Sequence, residues 1–305
     1  MAPRDLVRVV LWMTGALLSF SAMAVSVRAL AGSLSVMEIL ALRAGLGLIV
    51  MAAFALTRAD LRATILTRHL RLHFFRNAVH VGSSYLWASS LLLIPMAMTF
   101  ALEFTTPAWT LLLATPVLGE RLTASRIGAV VLGLLGVLVI LRPGLATVQL
   151  GALLALAGAF GFAVTLIATK KLTRTDSPFA IVFWMMAIQL PLALAVSDPL
   201  FMTRLDMPQL PAVIGIGLSG LASHYCLTQA FRSGDAGVVV PLDFMRIPLI
   251  AVIGWWLYGE RLDGFVFVGA GFIITGILWN LRSEAARAAA AAKPALRPGP
   301  APLEH

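Results

Sequence analysis

The chain has 305 residues, 60% of them hydrophobic and 12% charged, with a mean hydropathy of +0.93 and a formal charge of +9. A water-soluble domain keeps about a quarter of its residues charged, so this composition excludes an ordinary soluble globule and describes a chain dissolved in lipid. The basic residues lie in short breaks between apolar runs rather than on one water-exposed face, which excludes a nucleic-acid surface, and the single cysteine, Cys226, excludes an internal disulfide or a Cys-rich metal site.

Apolar runs of about 20 residues cross a ~30 Å hydrocarbon core as helices, whereas barrel strands are about ten residues long and alternate apolar with polar. Ten such runs occur in chain order, at 8–31, 35–56, 73–94, 98–118, 124–142, 149–171, 178–197, 209–231, 236–258 and 262–282. The expected fold class is an all-α integral membrane protein with ten transmembrane helices. The first run follows Arg4 and Arg8 and contains Ala22-Met23-Ala24, the outline of a cleavable signal, but it stays apolar to Leu30 and is read as a retained span.

With the N-terminus in the cytoplasm, 17 of the 23 Lys/Arg fall on the cytoplasmic side, four fall outside, and two, Arg43 and Arg246, fall within spans. That bias predicts both termini on the cytoplasmic side of the membrane. Trp12, Trp255, Trp256 and Trp279 come near span ends, where interfacial anchors belong. Residues 283–305 are rich in Ala and Pro and are read as a disordered cytoplasmic tail, with Leu303-Glu304-His305 the remnant of an expression tag.

The tetrapeptide GERL occurs at 119–122 and again at 259–262, and sliding the chain by that spacing aligns residues 118–142 with 258–282 without a gap. The same offset pairs Tyr85 with Tyr225, Ser83 with Ser223, and Glu103-Phe104 with Asp243-Phe244. The chain therefore reads as two five-helix units, 1–142 and 149–282. Five is odd, so the second unit enters the membrane from the opposite face, giving two inverted-topology five-helix repeats, the plan of many secondary transporters.

Ten spans in two repeats, with Leu118-Gly119-Glu120 and Tyr258-Gly259-Glu260 each closing a fourth helix, resemble the drug/metabolite transporter superfamily and its EamA-type exporters. The resemblance covers residues 8–282, and within the superfamily the chain is most similar to bacterial inner-membrane exporters of aromatic amino acids. It implies alternating-access export of a small hydrophobic solute, with the third, fourth, eighth and ninth helices among those lining a central cavity. The implied partners are a hydrophobic or aromatic amino acid and the lipid bilayer, with no nucleic acid and no cofactor. Export of another metabolite or drug, or a membrane-embedded enzyme acting on lipid-linked substrates, are the alternatives. No GxxxxGK[ST], HExxH or GxSxG occurs, so ATP-driven transport and common hydrolase chemistry lack support and the chain is not read as an enzyme.

Candidate substrate-binding residues come from polar stripes inside spans, which must face protein or water. Asn77, His80, Ser84 and Trp87 share one stripe of the third span, open to two roles, an interhelical hydrogen-bond seam or a cavity wall. His80, and His224 in the eighth span, are either fixed hydrogen-bonding groups or proton relays. In the fourth span Thr99, Glu103, Thr106 and Thr110 form a second stripe, and Pro107 predicts a kink beside Glu103 because it cannot donate to that residue's carbonyl. Pro241, Asp243, Arg246 and Pro248 repeat the pattern in the ninth span. Intramembrane charges cost at least ~2.5 kcal/mol each, so partners are expected: Asp243 with Arg246 at i,i+3, and Arg43 with Glu103 across helices. Arg246 is the candidate receiver of a substrate carboxylate. Tyr85, Trp87, Trp109 and Tyr225 are aromatic residues away from the interfaces and suit a flat apolar side chain. The charges of GERL at helix ends are read as structural and gating, and Gly133, Gly136, Gly269, Gly271 and Gly276 as close-packing surfaces.

Overall fold

The computed structural model describes residues 3–119, 123–142, 148–233, 239 and 242–292. Among the described residues the chain is helical, with no strand: α1 (Pro3–Leu30), α2 (Val36–Thr57), a one-turn α3 (Ala59–Ala63), α4 (Leu70–Leu93), α5 (Met96–Glu103), α6 (Thr106–Leu118), α7 (Ala124–Leu141), α8 (Leu150–Leu172), α9 (Pro178–Leu194), α10 (Leu210–Ser233), α11 (Arg246–Tyr258) and α12 (Gly264–Ala292). Among the described residues, six helical stretches are long and apolar enough to span a bilayer, at Val7–Leu30, Val36–Thr57, Ala124–Leu141, Leu150–Leu172, Met207–Ala230 and Gly264–Arg287, and α9 and α11 are shorter apolar helices. The outward surface is itself apolar, with Leu11 66%, Leu56 77% and Trp256 76% exposed, as lipid contact requires.

α4 is the exception that marks the interior. Arg76, Asn77, Ser83, Ser84 and Ser90 make it too polar to rank with the apolar spans, yet all five are buried, so the polar face of this helix is turned to protein, while Phe74, Phe75 and Leu93 lie on its exposed side.

Local chemistry sets the helix ends. Ser35 and Glu38 close a reciprocal capping box on α2, and Ser177 caps α9 just before Pro178. α6 and α11 both end on a left-handed glycine, Gly119 at φ +70° and Gly259 at +64°, so the two copies of the GERL glycine stop their helices in the same way.

The fourth apolar run is two helices. The chain turns at Phe104 and Thr105, between α5 and α6, because Pro107 has no N–H for the Glu103 carbonyl, which takes the Thr106 hydroxyl instead at 2.7 Å. An equivalent turn at Phe244 and Met245 precedes α11. It too has a proline just beyond it, Pro248, which leaves the Phe244 carbonyl to the N–H of Ile247 at 3.2 Å.

Packing exchanges elements between the two parts of the chain. α1 lies along α10 and α4 along α8, while α2 packs on α9 and α7 on α12. Thus the first long helix of each part rests on the third of the other, and second meets second and fifth meets fifth. The glycines repeat this relation. A Cβ on Gly136 would lie 2.5 Å from the Gly269 carbonyl, and one on Gly276, equivalent to Gly136, would lie 3.0 Å from the carbonyl of Ala129, equivalent to Gly269. Small residues at these crossings let backbones touch, which is how helices associate where lipid removes the hydrophobic driving force. Gly271 departs from the expected packing surface, because a side chain there would meet nothing within 4 Å.

α12 also runs ten residues past the end of the last apolar run, to Ala292. Ala is the strongest helix former, and Glu284 holds the extension to α7 by pairing with Arg126 at 3.0 Å. The expected tail is thus helical as far as Ala292, and residues 293–305, with the tag remnant, lie outside the described residues.

Candidate functional site

The two helix breaks meet at the centre of the bundle. Phe104 and Phe244, one in each turn, stack edge to face with ring centroids 4.9 Å apart. Beside them Arg246, the first residue of α11, is 4% exposed and holds two carboxylates. Its Nη2 donates to Asp243 Oδ1 and Oδ2 at 2.7 and 2.6 Å, and its Nη1 lies 3.5 Å from Glu103 Oε1. The indole of Trp87 donates to Glu103 Oε2 at 2.7 Å.

Aromatic faces enclose the guanidinium. Its carbon lies 4.0 Å from the centroid of Phe20, 5.0 Å from Phe104 and 5.7 Å from Phe100, and Trp87 stands edge-on to Phe100. A desolvated cation over such a ring gains about 2 kcal/mol, which offsets part of the cost of burying the charge. Arg246 Nε is buried with no hydrogen-bond partner among the described residues.

The expected pair Asp243–Arg246 is present, but the expected pair Arg43–Glu103 is not formed. Arg43 Nη2 donates to Ser84 Oγ at 3.2 Å and Gln189 Oε1 at 3.3 Å, because α2 packs on α4 and α9, whereas Glu103 faces the break in the ninth run. His80 Nδ1 shares this second network, 3.2 Å from Ser84 Oγ and 3.1 Å from Gln189 Nε2, and its ring lies 5.5 Å from Phe162. Gln189, buried at 2% exposure, was not singled out by the sequence. Its signal was present as a lone amide inside an apolar helix, where a polar group must find partners.

The third-span stripe therefore splits into three. Trp87 joins the charged cluster, and Ser84 with His80 joins the Arg43 network. Asn77 accepts from Arg76 at 2.7 Å and donates to the Trp184 carbonyl at 3.2 Å, a seam between α4, α8 and α9 completed by Arg76 on Thr169 at 2.7 Å. Trp109 packs edge-on to Phe160 with centroids 5.7 Å apart, and its buried indole nitrogen lacks a hydrogen bond among the described residues. Tyr85 and Tyr225 are 41% and 57% exposed, and Tyr225 meets Trp12 and Gln229 rather than the cluster. The side chain of His224, Pro241 and the Glu120-Arg121-Leu122 copy of the signature lie outside the described residues.

The second signature copy closes one end of the bundle. Glu260 forms an ion pair with Arg28 and accepts the Met96 N–H at the start of α5, at 3.0 and 3.2 Å. Arg28 also donates to the carbonyls of Leu91 and Ile94 at 2.6 and 2.8 Å and lies 4.9 Å from the Tyr258 ring centre. The Glu260–Arg28 pair thus ties α1, α4, α5 and the end of α11 together. Arg142 with Asp263 at 2.6 Å, and Glu38 with Arg204, add ion pairs at the same end. A crevice of ≈ 100 Å³ lies here, lined by Pro95, Met98, Arg142 and Glu260, away from the Arg246 cluster. At the opposite end Asp176 accepts from Thr67 at 2.5 Å and pairs with His73 Nε2 at 2.7 Å. Burial alone would raise the Asp176 carboxyl, but the hydrogen bonds from Thr67, His73 and Thr175 outweigh it and leave the group below its ordinary range.

A multi-pass helical bundle with two broken helices meeting at a buried charged and aromatic cluster is the architecture of a membrane transporter. The model of the EamA-like transporter family matches residues 7–142 and again 149–282, so the chain belongs to that family, within the drug/metabolite transporter superfamily. It is 28% identical over 201 residues to a riboflavin transporter of Rhizobium johnstonii, covering 66% of this chain and 67% of that one. It is 24% identical over 221 residues to an S-adenosylmethionine uptake transporter of Rickettsia felis, covering 72% and 75%. A solved crystal structure shares the fold with a TM-score of 0.59 at 20% identity, over 92% of this chain and 98% of that one. A particular similarity to amino-acid exporters is not shown by these relatives.

Proposed function

We propose that this chain is a secondary transporter of the bacterial inner membrane, with ten spans in two inverted five-helix repeats and both termini cytoplasmic. Its cargo is a small planar heteroaromatic metabolite, uncharged or positively charged, bound where the two broken helices meet. The observation that carries this reading is the Arg246 cluster: two carboxylates on one guanidinium, ringed by Phe20, Phe100 and Phe104.

The charge balance argues against the anionic end of an amino acid as the anchor. Both terminal nitrogens of Arg246 already face carboxylates, so a substrate carboxylate would have to displace one of them into a low-dielectric site, at several kcal/mol. A ring carbonyl needs only the free Nε–H, and a flat ring system stacks on the surrounding phenyl faces. The names of the relatives, a riboflavin transporter and an S-adenosylmethionine uptake transporter, agree with an uncharged or cationic heterocycle. In this orientation the Glu260 end faces outward and is shut. Binding shifts the inward and outward states only by its differential affinity for them, so flux follows the gradients.

The test is riboflavin flux, read by its fluorescence, into proteoliposomes of the full chain, with labelled phenylalanine and tryptophan run in parallel. Saturable riboflavin flux that Arg246→Ala abolishes is expected. Amino-acid counterflow without riboflavin flux would return the reading to an aromatic amino-acid carrier.

A further inference from the structure

We propose that Glu103 is a proton-binding site whose occupancy makes and breaks the ionic link between the two halves of the transporter, coupling solute movement to a proton gradient. The inference rests on the transport reading above and adds to it the ion that drives the cycle.

Three observations carry it. First, among the described residues the cluster holds two carboxylates and one guanidinium, a net negative charge that uptake of a cation neutralises. Second, the two carboxylates are bound unequally. Asp243 grips Arg246 with both oxygens at 2.6 and 2.7 Å from three residues away, across the turn at Phe244 and Met245. Glu103 reaches across from α5 at 3.5 Å, and it is the more open of the two, 24% exposed against 17% for Asp243 and 5% for Arg246. Third, the Glu103 contact is the ion pair that joins α5 to α11, the two half-helices whose breaks meet at Phe104 and Phe244 and which must part for the halves to rock.

Protonation of Glu103 from water on one side removes the charge that holds α5 to Arg246 and leaves Asp243 and Arg246 as a neutral i,i+3 pair across the turn of the ninth run. Deprotonation toward the other side restores the link. The other groups near Glu103 do not compete for this role. Trp87 from α4 donates to Oε2 and does not titrate. His80, also on α4, and Arg43 from α2 are bound to Ser84 and Gln189. Lys170 and Lys171 lie in the last turn of α8, and Asp263 pairs with Arg142 at the far end of α12 from Glu284.

Two measurements on the full chain test this. In nanodiscs, infrared difference spectra between acid and alkaline pH should show the carbonyl band of a protonated carboxylic acid that is lost in Glu103→Gln. In proteoliposomes under a gradient of about one pH unit, one proton per solute drives riboflavin accumulation toward roughly tenfold, a ratio that falls to about one in Glu103→Gln. A band that survives the substitution, or accumulation in Glu103→Gln that still follows the gradient, would overturn the proposal. Should riboflavin fail to move while the band titrates and vanishes in the variant, the cargo reading fails and the proton site stands.

Discussion

Phe104 and Phe244 hold equivalent places 140 residues apart, each in a two-residue turn that breaks its helix, and they touch edge to face at 4.9 Å. The contact joins the two broken helices directly, next to the guanidinium of Arg246, which binds a carboxylate from each. Edge-to-face aromatic pairs contribute about 0.5–1.5 kcal/mol beyond area burial. A double-mutant cycle with Phe104→Leu and Phe244→Leu, read by unfolding in detergent micelles, should return a coupling energy in that range. Additive losses would mean that the rings merely share a neighbourhood.

The crossing of α7 and α12 gives a second prediction. At Gly136 a methyl group would meet backbone, the Gly269 carbonyl, which cannot swing aside as a side chain can. Gly136→Ala should therefore cost about 1–3 kcal/mol by overpacking. At Gly271 a methyl group would meet nothing within 4 Å, so Gly271→Ala should be neutral or gain up to about 1 kcal/mol from helix propensity. Melting temperatures in the same detergent compare the two.

The Glu260 clamp predicts a change in accessibility. Its side chain and that of Arg28 are 12% and 13% exposed, so Glu260→Gln removes the charge from a buried pair while keeping an acceptor for Met96. A loss of about 1.5 kcal/mol is roughly tenfold in population. In a Cys226→Ala background, Met98→Cys in the adjoining crevice should react several-fold faster with a membrane-impermeant thiol reagent added outside once Glu260 is replaced. An unchanged rate would show that this end is held shut by other contacts.

The Asp176 carboxyl lies in the α8–α9 connection and is 5% exposed. Its pKa is lowered in the folded protein, so the unfolded chain binds more protons at acid pH. Its stabilisation is complete above the ordinary carboxylate range and is lost as pH falls through the lowered folded value. Acid unfolding should therefore be blunted in Asp176→Asn, which lacks that loss, while the variant is less stable than the parent near neutral pH. Parallel pH-dependent unfolding curves for the two proteins would contradict the assignment.

How much was legible beforehand differs by residue. Apolar run length placed the helices, because backbone in lipid has to satisfy its own hydrogen bonds, and Pro107 located the break beside Glu103, because a missing N–H is a local fact. The i,i+3 pair of Asp243 and Arg246 was readable for the same reason. The partner of Glu103 was not. Arg43 and Arg246 were both cations within spans, and the choice between them depended on α2 turning to α9 and on the break at Phe244 turning to α5.

Composition and near neighbours along the chain are enough to specify a lipid-embedded helical bundle, its internal repeat and its proline kinks. Only the tertiary structure decided which distant charges meet. It sent Arg43 to Ser84 and Gln189, set two carboxylates on Arg246, and brought Phe104 against Phe244. The physical reason is range. Helix formation and capping act over a few residues, whereas pairing a buried charge is a choice among all partners that packing brings within a few ångströms, and packing is a property of the whole bundle.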